Sequence, residues 1–323
     1  MPATTPTSTA VRVATWNLYL GADLAPLFGA RNFDELATRV RVVRQQLEAT
    51  RFEERARAVA AVLARERPHL VGLQEVARWT LAPLAADGSL GAERVLVDFL
   101  PTLLAALDEA GCRYAAHADN ENFSGAMPVS PTEWMGVTGA NVTLVRDDVE
   151  VVGEVTAPFA SRHVVVTALE GVSFPVVRSW GRVEVRVGGT ALRLVNTHTE
   201  AYDARVRDAQ RAEVLAAHTE DVVPVVLVGD LNATSDRVGV PAPWVDAWHR
   251  GDGPGATCGQ AAELANPVSA LSERIDYVWV RDAGVLGCRV VGDAPGDRTT
   301  PHGLWPSDHA AVVADLQLPA DPA

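Results

Sequence analysis

Lysine is absent from this 323-residue chain, and all 28 basic residues are arginine. Aspartate and glutamate number 41, so the net charge is −13. Such a chain has no general electrostatic attraction for nucleic acid or anionic lipid, although a local arginine-lined cleft can still hold a phosphate. Cysteine is scarce too. Cys112, Cys258 and Cys288 are far apart and form no C-x-x-C pair, which excludes a disulfide framework and gives no zinc motif. They are expected to be free thiols in a reducing compartment. They are also expected to be dispensable, because none falls in a motif or at a strand end. Aromatics amount to 6% and no arginine run accompanies them, so nothing marks a nucleic-acid groove. No apolar run approaches the ~18 residues of a membrane-spanning helix. The opening "MPATTPTSTA" has neither a basic nor an apolar signal region, so residues 1–10 are expected to form a disordered leader. A cytoplasmic location is the expectation, or a secreted one if an export signal has been removed.

What is present is globular: 48% hydrophobic and 21% charged, with length enough for a sizeable core. No Pro/Gly/Ser linker or internal repeat divides the chain, so residues 11–318 are expected to be a single domain, monomeric. "VRVATWN" alternates apolar and polar residues as a half-buried strand does. A helix follows with Leu36, Val40, Val43 and Leu47 on one face, preceded by a capping-box pattern of Asn32 and Glu35. A second helix carries Phe52, Ala56, Val59 and Leu63 up to Pro68, and another is expected over Val95–Ala110. Glu121–Gly139 reads as a long surface loop. Beyond it come β-rich runs, with Gly188-Gly189 as a hairpin turn. "VPVVLVGD" is apolar throughout, as in a strand buried on both faces.

Polar residues stand out by where they fall. Asn17, Glu75 and His198 each end an apolar strand, and Asp230 and Asn232 end "VVLVGDLN". Asp276 starts "DYVWV", and Asp308-His309 open the last strand. Taken singly, each has an ordinary reading as a turn former, a solvated strand end, a core histidine or a surface ion pair. Eight such residues together are an improbable accident. Strand ends along one sheet edge let a rigid scaffold gather distant side chains. Carboxylates and amides suit a hard cation such as Mg²⁺, and two histidines can move protons near neutral pH.

The motifs "TWN", "GLQEV", "NTHTE", "GDLNAT", "RIDYVWV" and "SDH" occur in this order from Thr15 to His309. In this the chain resembles the endonuclease/exonuclease/phosphatase superfamily, to which pancreatic deoxyribonuclease belongs. The resemblance implies an α/β (α+β) four-layer sandwich, two packed mixed β-sheets flanked by helices, and a phosphoesterase using Mg²⁺ or Mn²⁺. It implies Asn17 and Glu75 as ligands of the cation, directly or through water, with Asp308 as a further ligand or a partner of one. His309 would be a general base or a phosphate contact, oriented by Asp276. Asp230 would position or deprotonate the attacking water, Asn232 would hold phosphoryl oxygens, and His198 would donate to the developing charge. Arg178 could reach a phosphate, and Asn141 could face the cleft. Departures exist: Thr199-Glu200 follow the motif histidine, Ser179 stands where close relatives have Gly, and the Tyr/Asn arrangement of AP endonucleases is missing. The inserts Tyr19–Arg57 and Val76–Gly139 are expected to roof the cleft. A phosphorylated small molecule or lipid headgroup, as a diester or monoester, is the favoured substrate. DNA or RNA cleavage, Lewis-acid chemistry on a non-phosphate metabolite, and an inactive binding module stay as alternatives.

Overall fold

The computed structural model describes residues 9–169 and 173–319. Strand β1 (Thr9–Asn17) leads into the helices α1 (Phe33–Ala49) and α2 (Phe52–Glu66). Then come β2 (Leu70–Pro83), β3 (Arg94–Asp98), α3 (Phe99–Glu109), β4 (Tyr114–Ser130) and β5 (Glu133–Arg146). They are followed by β6 (Glu150–Pro158), the small hairpin β7 (His163–Val166) and β8 (Ser173–Val176), β9 (Ser179–Val187) and β10 (Thr190–His198). The remainder holds α4 (Ala204–Ala216), β11 (Val225–Asp230), the single turn α5 (Ser235–Val238) and β12 (Val245–Asp246). It closes with β13 (Asp276–Arg281), β14 (Gly284–Val291) and β15 (Ala311–Leu318).

Two mixed sheets result. One runs β14-β15-β1-β2-β5-β4 with β3 beside β2, the other β12-β13-β11-β10-β9-β6. The pairs β1/β2 and β10/β11 are parallel, and the other pairings are antiparallel. Between the sheets lie Val11, Val13, Leu70, Leu192, Leu194, Val226, Val228, Val278 and Val280. The outer face of the first sheet is covered by α1, α2 and α3 through Val40, Val59, Leu63 and Leu103. The outer face of the second is covered by α4 through Val214, against Val195, Leu227 and Trp279. This is the four-layer sandwich, and among the described residues no helix is long and apolar enough to cross a membrane.

Period-two geometry sets the position of the site. Side chains alternate along a strand, so residues two apart share a face. In β1 the face bearing Val11 and Val13 continues through Thr15 to Asn17. In β10 it runs Leu192, Leu194, Asn196, His198, and in β11 it runs Val226, Val228, Asp230. In β13 it begins at Asp276 and continues with Val278 and Val280. The apolar layer therefore gives way to a layer of amides and hydroxyls, then to the polar strand ends. In that middle layer Gln74 Nε2 donates to Asn196 Oδ1 at 2.7 Å and to Thr15 Oγ1 at 3.0 Å, joining the two sheets.

Several expectations need correction. Glu121–Gly139 is not a surface loop but most of a long hairpin, with Phe123 paired to Gly139 and Met127 to Met135. Its Asn, Ser and Gly content hides the strand, which is made by pairing with β5 and by bulges rather than by propensity. The expected helix over Val95–Ala110 begins only at Phe99, because Arg94–Asp98 with its two valines pairs with β2 as an edge strand. Residues 1–8 of the expected leader lie outside the described residues, while Thr9 and Ala10 already pair with Leu318 and Gln317. The cap of α1 is as expected on one side only. Asn32 Oδ1 accepts from Glu35 N at 2.9 Å, but the Glu35 carboxylate accepts from Arg31 N instead of returning to Asn32.

Candidate active site

His309 is the centre of the buried cluster. Its Nδ1–H donates to Asp276 Oδ2 at 2.8 Å, and Thr257 Oγ1–H donates to the same oxygen at 2.6 Å. The other ring nitrogen, Nε2, lies 4.0 Å from both Asp230 Oδ2 and Asp308 Oδ1. Burial alone would lower the His309 pKa, but the carboxylates of Asp276 and Asp308 outweigh it and hold the ring well above its ordinary value. Asp230 ends β11 on a tight approach. The preceding Gly229 has φ +148, and a Cβ there would stand 1.9 Å from the Thr197 carbonyl oxygen. Asp230 Oδ1 accepts from Asn232 N at 2.8 Å, and Oδ2 accepts from Asn17 Nδ2 at 3.1 Å and lies 3.4 Å from His198 Nε2. Burial, reinforced by the Asp276 charge, pushes the Asp230 carboxyl up to about 7. His198 goes the other way. Burial, with Arg178 and His309 nearby, holds it well below 6.5, so the ring is neutral.

A cavity of about 350 Å³ opens beside this cluster, lined by Glu75, Asp308, His198 and Arg178 among others. Glu75 sits at a bulge in β2, with φ +55, which turns its carboxylate into the cavity. Its oxygens accept from Asn17 Nδ2 at 3.2 Å and Leu20 N at 2.8 Å. Asp308 accepts weakly from Ser307 Oγ at 3.3 Å, and burial together with the Glu75 charge pushes it up to about 6. Among the described residues neither Glu75 nor Asp308 has an arginine within ion-pair distance. Acidic groups converging on one oxygen-rich spot with no arginine to pair them fit a hard divalent cation. Asn17 turns its NH₂ to the carboxylates while its Oδ1 accepts from Tyr19 N at 2.9 Å. Asp230, Asp276 and His309 also offer ligand atoms within 4.8 Å of one another, a cluster that could bind metal. The His309–Asp276 hydrogen bond and the Thr257 donor engage His309 Nδ1 and Asp276 Oδ2, while Asp276 Oδ1 is buried without a partner.

Of the ten residues expected at the site, Glu75, Arg178, His198 and Asp308 line this cavity, and Asn17, Asp230, Asp276 and His309 lie beside it, linked by the hydrogen bonds Asn17–Glu75, Asn17–Asp230 and His309–Asp276. Asn232, at φ +49, donates through its side chain to the Thr199 carbonyl at 2.9 Å and through its backbone N to Asp230. Asn141 departs from expectation. It is fully buried, its NH₂ bonds Asn120 Oδ1 and the Ser179 carbonyl, and it does not line the cavity. Asn122 does. A register shift between Glu121 and Phe123 lets the neighbours Asn122 and Phe123 both line it, and Asn122 Nδ2 is buried without a partner. Arg178 Nε and His198 Nδ1 are likewise buried and unpaired.

The cysteines are free thiols, as expected, and Cys258 pairs in a β-bridge with His309, a proximity their spacing in sequence did not show. Burial keeps the Cys258 pKa raised, so it stays a thiol and serves as a contact rather than a nucleophile. Arg55 was invisible in sequence as a site residue. Fully buried, it donates to the carbonyls of Thr50 (3.0 Å), Leu18 (2.7 Å), Tyr19 (3.2 Å) and Pro306 (2.9 Å). It thereby ties the segment after Asn17 to the segment before Asp308.

Comparison with known proteins agrees with this geometry. The sequence model of the Endonuclease/Exonuclease/phosphatase family matches residues 14–309. No curated protein matches the chain. A Bacteroides vulgatus endonuclease/exonuclease/phosphatase structure is similar at TM-score 0.59 and 20% identity, covering 96% of this chain and 100% of that one. A Bacteroides thetaiotaomicron protein of that family is similar at TM-score 0.59 and 17% identity, covering 97% and 99%. D. rerio TDP2, complexed with a single strand DNA product, follows at TM-score 0.56 and 16% identity, covering 95% and 99%. At these identities the structural likeness is one of fold.

Proposed function

Since the chain belongs to the endonuclease/exonuclease/phosphatase family, we propose that it is a divalent-metal-dependent phosphoesterase acting on a small-molecule or lipid-headgroup phosphoester. The family includes metal-dependent phosphodiesterases and nucleases. The observation that carries the reading is the meeting of two acid groups at one cavity: the cation-seeking pair Glu75 and Asp308, and the His309–Asp276–Asp230 cluster beneath it.

In this reading Glu75 and Asp308 hold Mg²⁺ or Mn²⁺, with Asn17 reaching it through water. When bound, the cation supplies charge neutralisation at the phosphoryl and leaving oxygens. Arg178 and Asn122 donate to the non-bridging oxygens, which satisfies two buried polar groups that otherwise have no partner, and His198 lines the same space. Asp230 orients the attacking water and accepts its proton, held in place by Asn232 N–H and Asn17 Nδ2. Asp276 fixes the ring of His309 so that Nε2 faces the same point. A compact substrate is supported by the state of the arginines on the inserts: Arg31, Arg39, Arg44 and Arg51 pair with Glu35, Glu48 and Glu54. They pair along α1 and at the starts of α1 and α2 and do not form a track for phosphates.

The test is a phosphoesterase panel with Mg²⁺ and Mn²⁺ covering phosphodiesters, nucleotides, inositol phosphates, phospholipids, plasmid DNA and single-stranded DNA ends. We expect metal-dependent turnover of a small or lipid-headgroup ester, lost in His309→Ala. Turnover that survives chelation, or none on any member, would refute the reading.

A further inference from the structure

The cavity carries an apolar lining that phosphoryl chemistry does not need. Leu20, Leu24, Phe28, Phe123, Val176 and Tyr202 line it together with the polar groups. The two linings are interleaved along the chain: Phe123 follows Asn122, Val176 precedes Arg178 by two residues, and Tyr202 follows His198 by four. Phe28, on a 3-10 turn of the first insert (Ala25–Gly29), meets Tyr202 edge to face with ring centroids 5.9 Å apart. The Phe28 carbonyl also accepts from Ala168 N at 3.0 Å, tying the turn to the segment after β7. Partly exposed aromatic rings beside buried unpaired donors are the composition of a small-molecule site, with the polar groups fixing one end and the rings taking the other.

Charge limits what the polar end accepts. Asp23, Glu75 and Asp308 line the cavity, and Arg178 is the one arginine among the described residues that does so. Even with one divalent cation added, the ionised side chains leave no surplus of positive charge. That suits the single charge of a phosphodiester better than the second charge of a terminal monoester. The volume, about 350 Å³, sits at the small end of ligand sites and cannot take a duplex.

We propose that the cavity binds a monoanionic phosphodiester of small-molecule size, its phosphate at Arg178, His198 and Asn122 and one compact apolar arm against Phe28, Phe123 and Tyr202. The identity of the reaction rests on the phosphoesterase reading, but the arm's subsite can be tested without turnover. Calorimetric titration with O-methyl methylphosphonate and O-methyl benzylphosphonate, two stable monoanions differing only in the arm, is done with Mg²⁺ present. Burial of the ring should make the benzyl compound bind about tenfold tighter. The dianion benzylphosphonate should bind no tighter than its methyl ester. Phe123→Ala combined with Tyr202→Ala should cut the benzyl preference to roughly threefold or less. Tyr202→Ala alone, at a half-exposed position where folding is not at stake, should reduce it part of the way. Equal affinities for the two monoanions, no binding of either, tighter binding of the dianion, or a preference that survives both variants would each overturn the proposal. A benzyl preference in a protein that hydrolyses nothing on the panel would uphold the subsite and refute the phosphoesterase reading alone.

Discussion

At the scale of single residues, His309 depends on what holds it. Asp276 is wholly buried and accepts from both His309 and Thr257, so its carboxylate fixes the ring and stabilises its charge. Asp276→Asn keeps the volume but loses that charge, and a lowering of turnover by roughly 10²- to 10⁴-fold is expected with the fold intact. Steady-state kinetics beside thermal unfolding checks this, and turnover equal to wild type would remove His309 from its role. The cysteines divide differently from what their spacing suggests. Cys112 and Cys288 are buried away from the site, so replacing both with Ala should cost stability and leave turnover alone. Cys258→Ala changes the packing beside His309, to which Cys258 is β-bridged, and should slow turnover by roughly fivefold. Equal rates in the two variants would show that the contact does nothing for catalysis.

At the scale of elements, the reach of sequence reading follows the reach of periodicity. Asn17, His198, Asp230 and Asp276 were legible because each ends an apolar run in the phase of the buried face. Glu75 was expected to end a strand, but β2 runs on to Pro83 and Glu75 sits at a bulge within it, which the sequence did not show. Asn122 and Phe123 were not legible, since their strand is a polar, glycine-containing segment that becomes β4 only by pairing with β5. Asn141 was misjudged for a related reason: strand phase shows that a residue faces inward, not whether a cavity or another amide waits there. Arg55 reads as one more charge on an amphipathic helix, yet α2 delivers it to four carbonyls and to the rings of Phe52 and Phe99 at 4.9 and 5.5 Å. Burial draws its pKa down only to about 10, so it remains a cation at neutral pH. Arg55→Met would leave those carbonyls unpaired in the interior, and a loss of at least about 3 kcal/mol is expected by denaturant unfolding. A loss under ~1 kcal/mol would mean that the two segments hold themselves in place.

At the scale of the whole molecule, the net charge of −13 and the paired arginines predict weak duplex DNA binding that disappears between roughly 0.05 and 0.2 M salt. Binding measured by fluorescence anisotropy across that range tests it. Robust plasmid cleavage at physiological salt, abolished in His309→Ala, would make the protein a nuclease instead. The amide layer of Thr15, Gln74 and Asn196 has a consequence for redesign. It is a polar floor whose bonds run between the two sheets, while Glu75 and Asn17 lean also on the backbone of Leu20 and Tyr19 just overhead. The floor with that first stretch is separable from the rest of the roof. A laboratory seeking a different substrate could exchange the turn bearing Phe28 or the tip of the β4–β5 hairpin while keeping the reaction, much as a tool keeps its handle when the bit is changed.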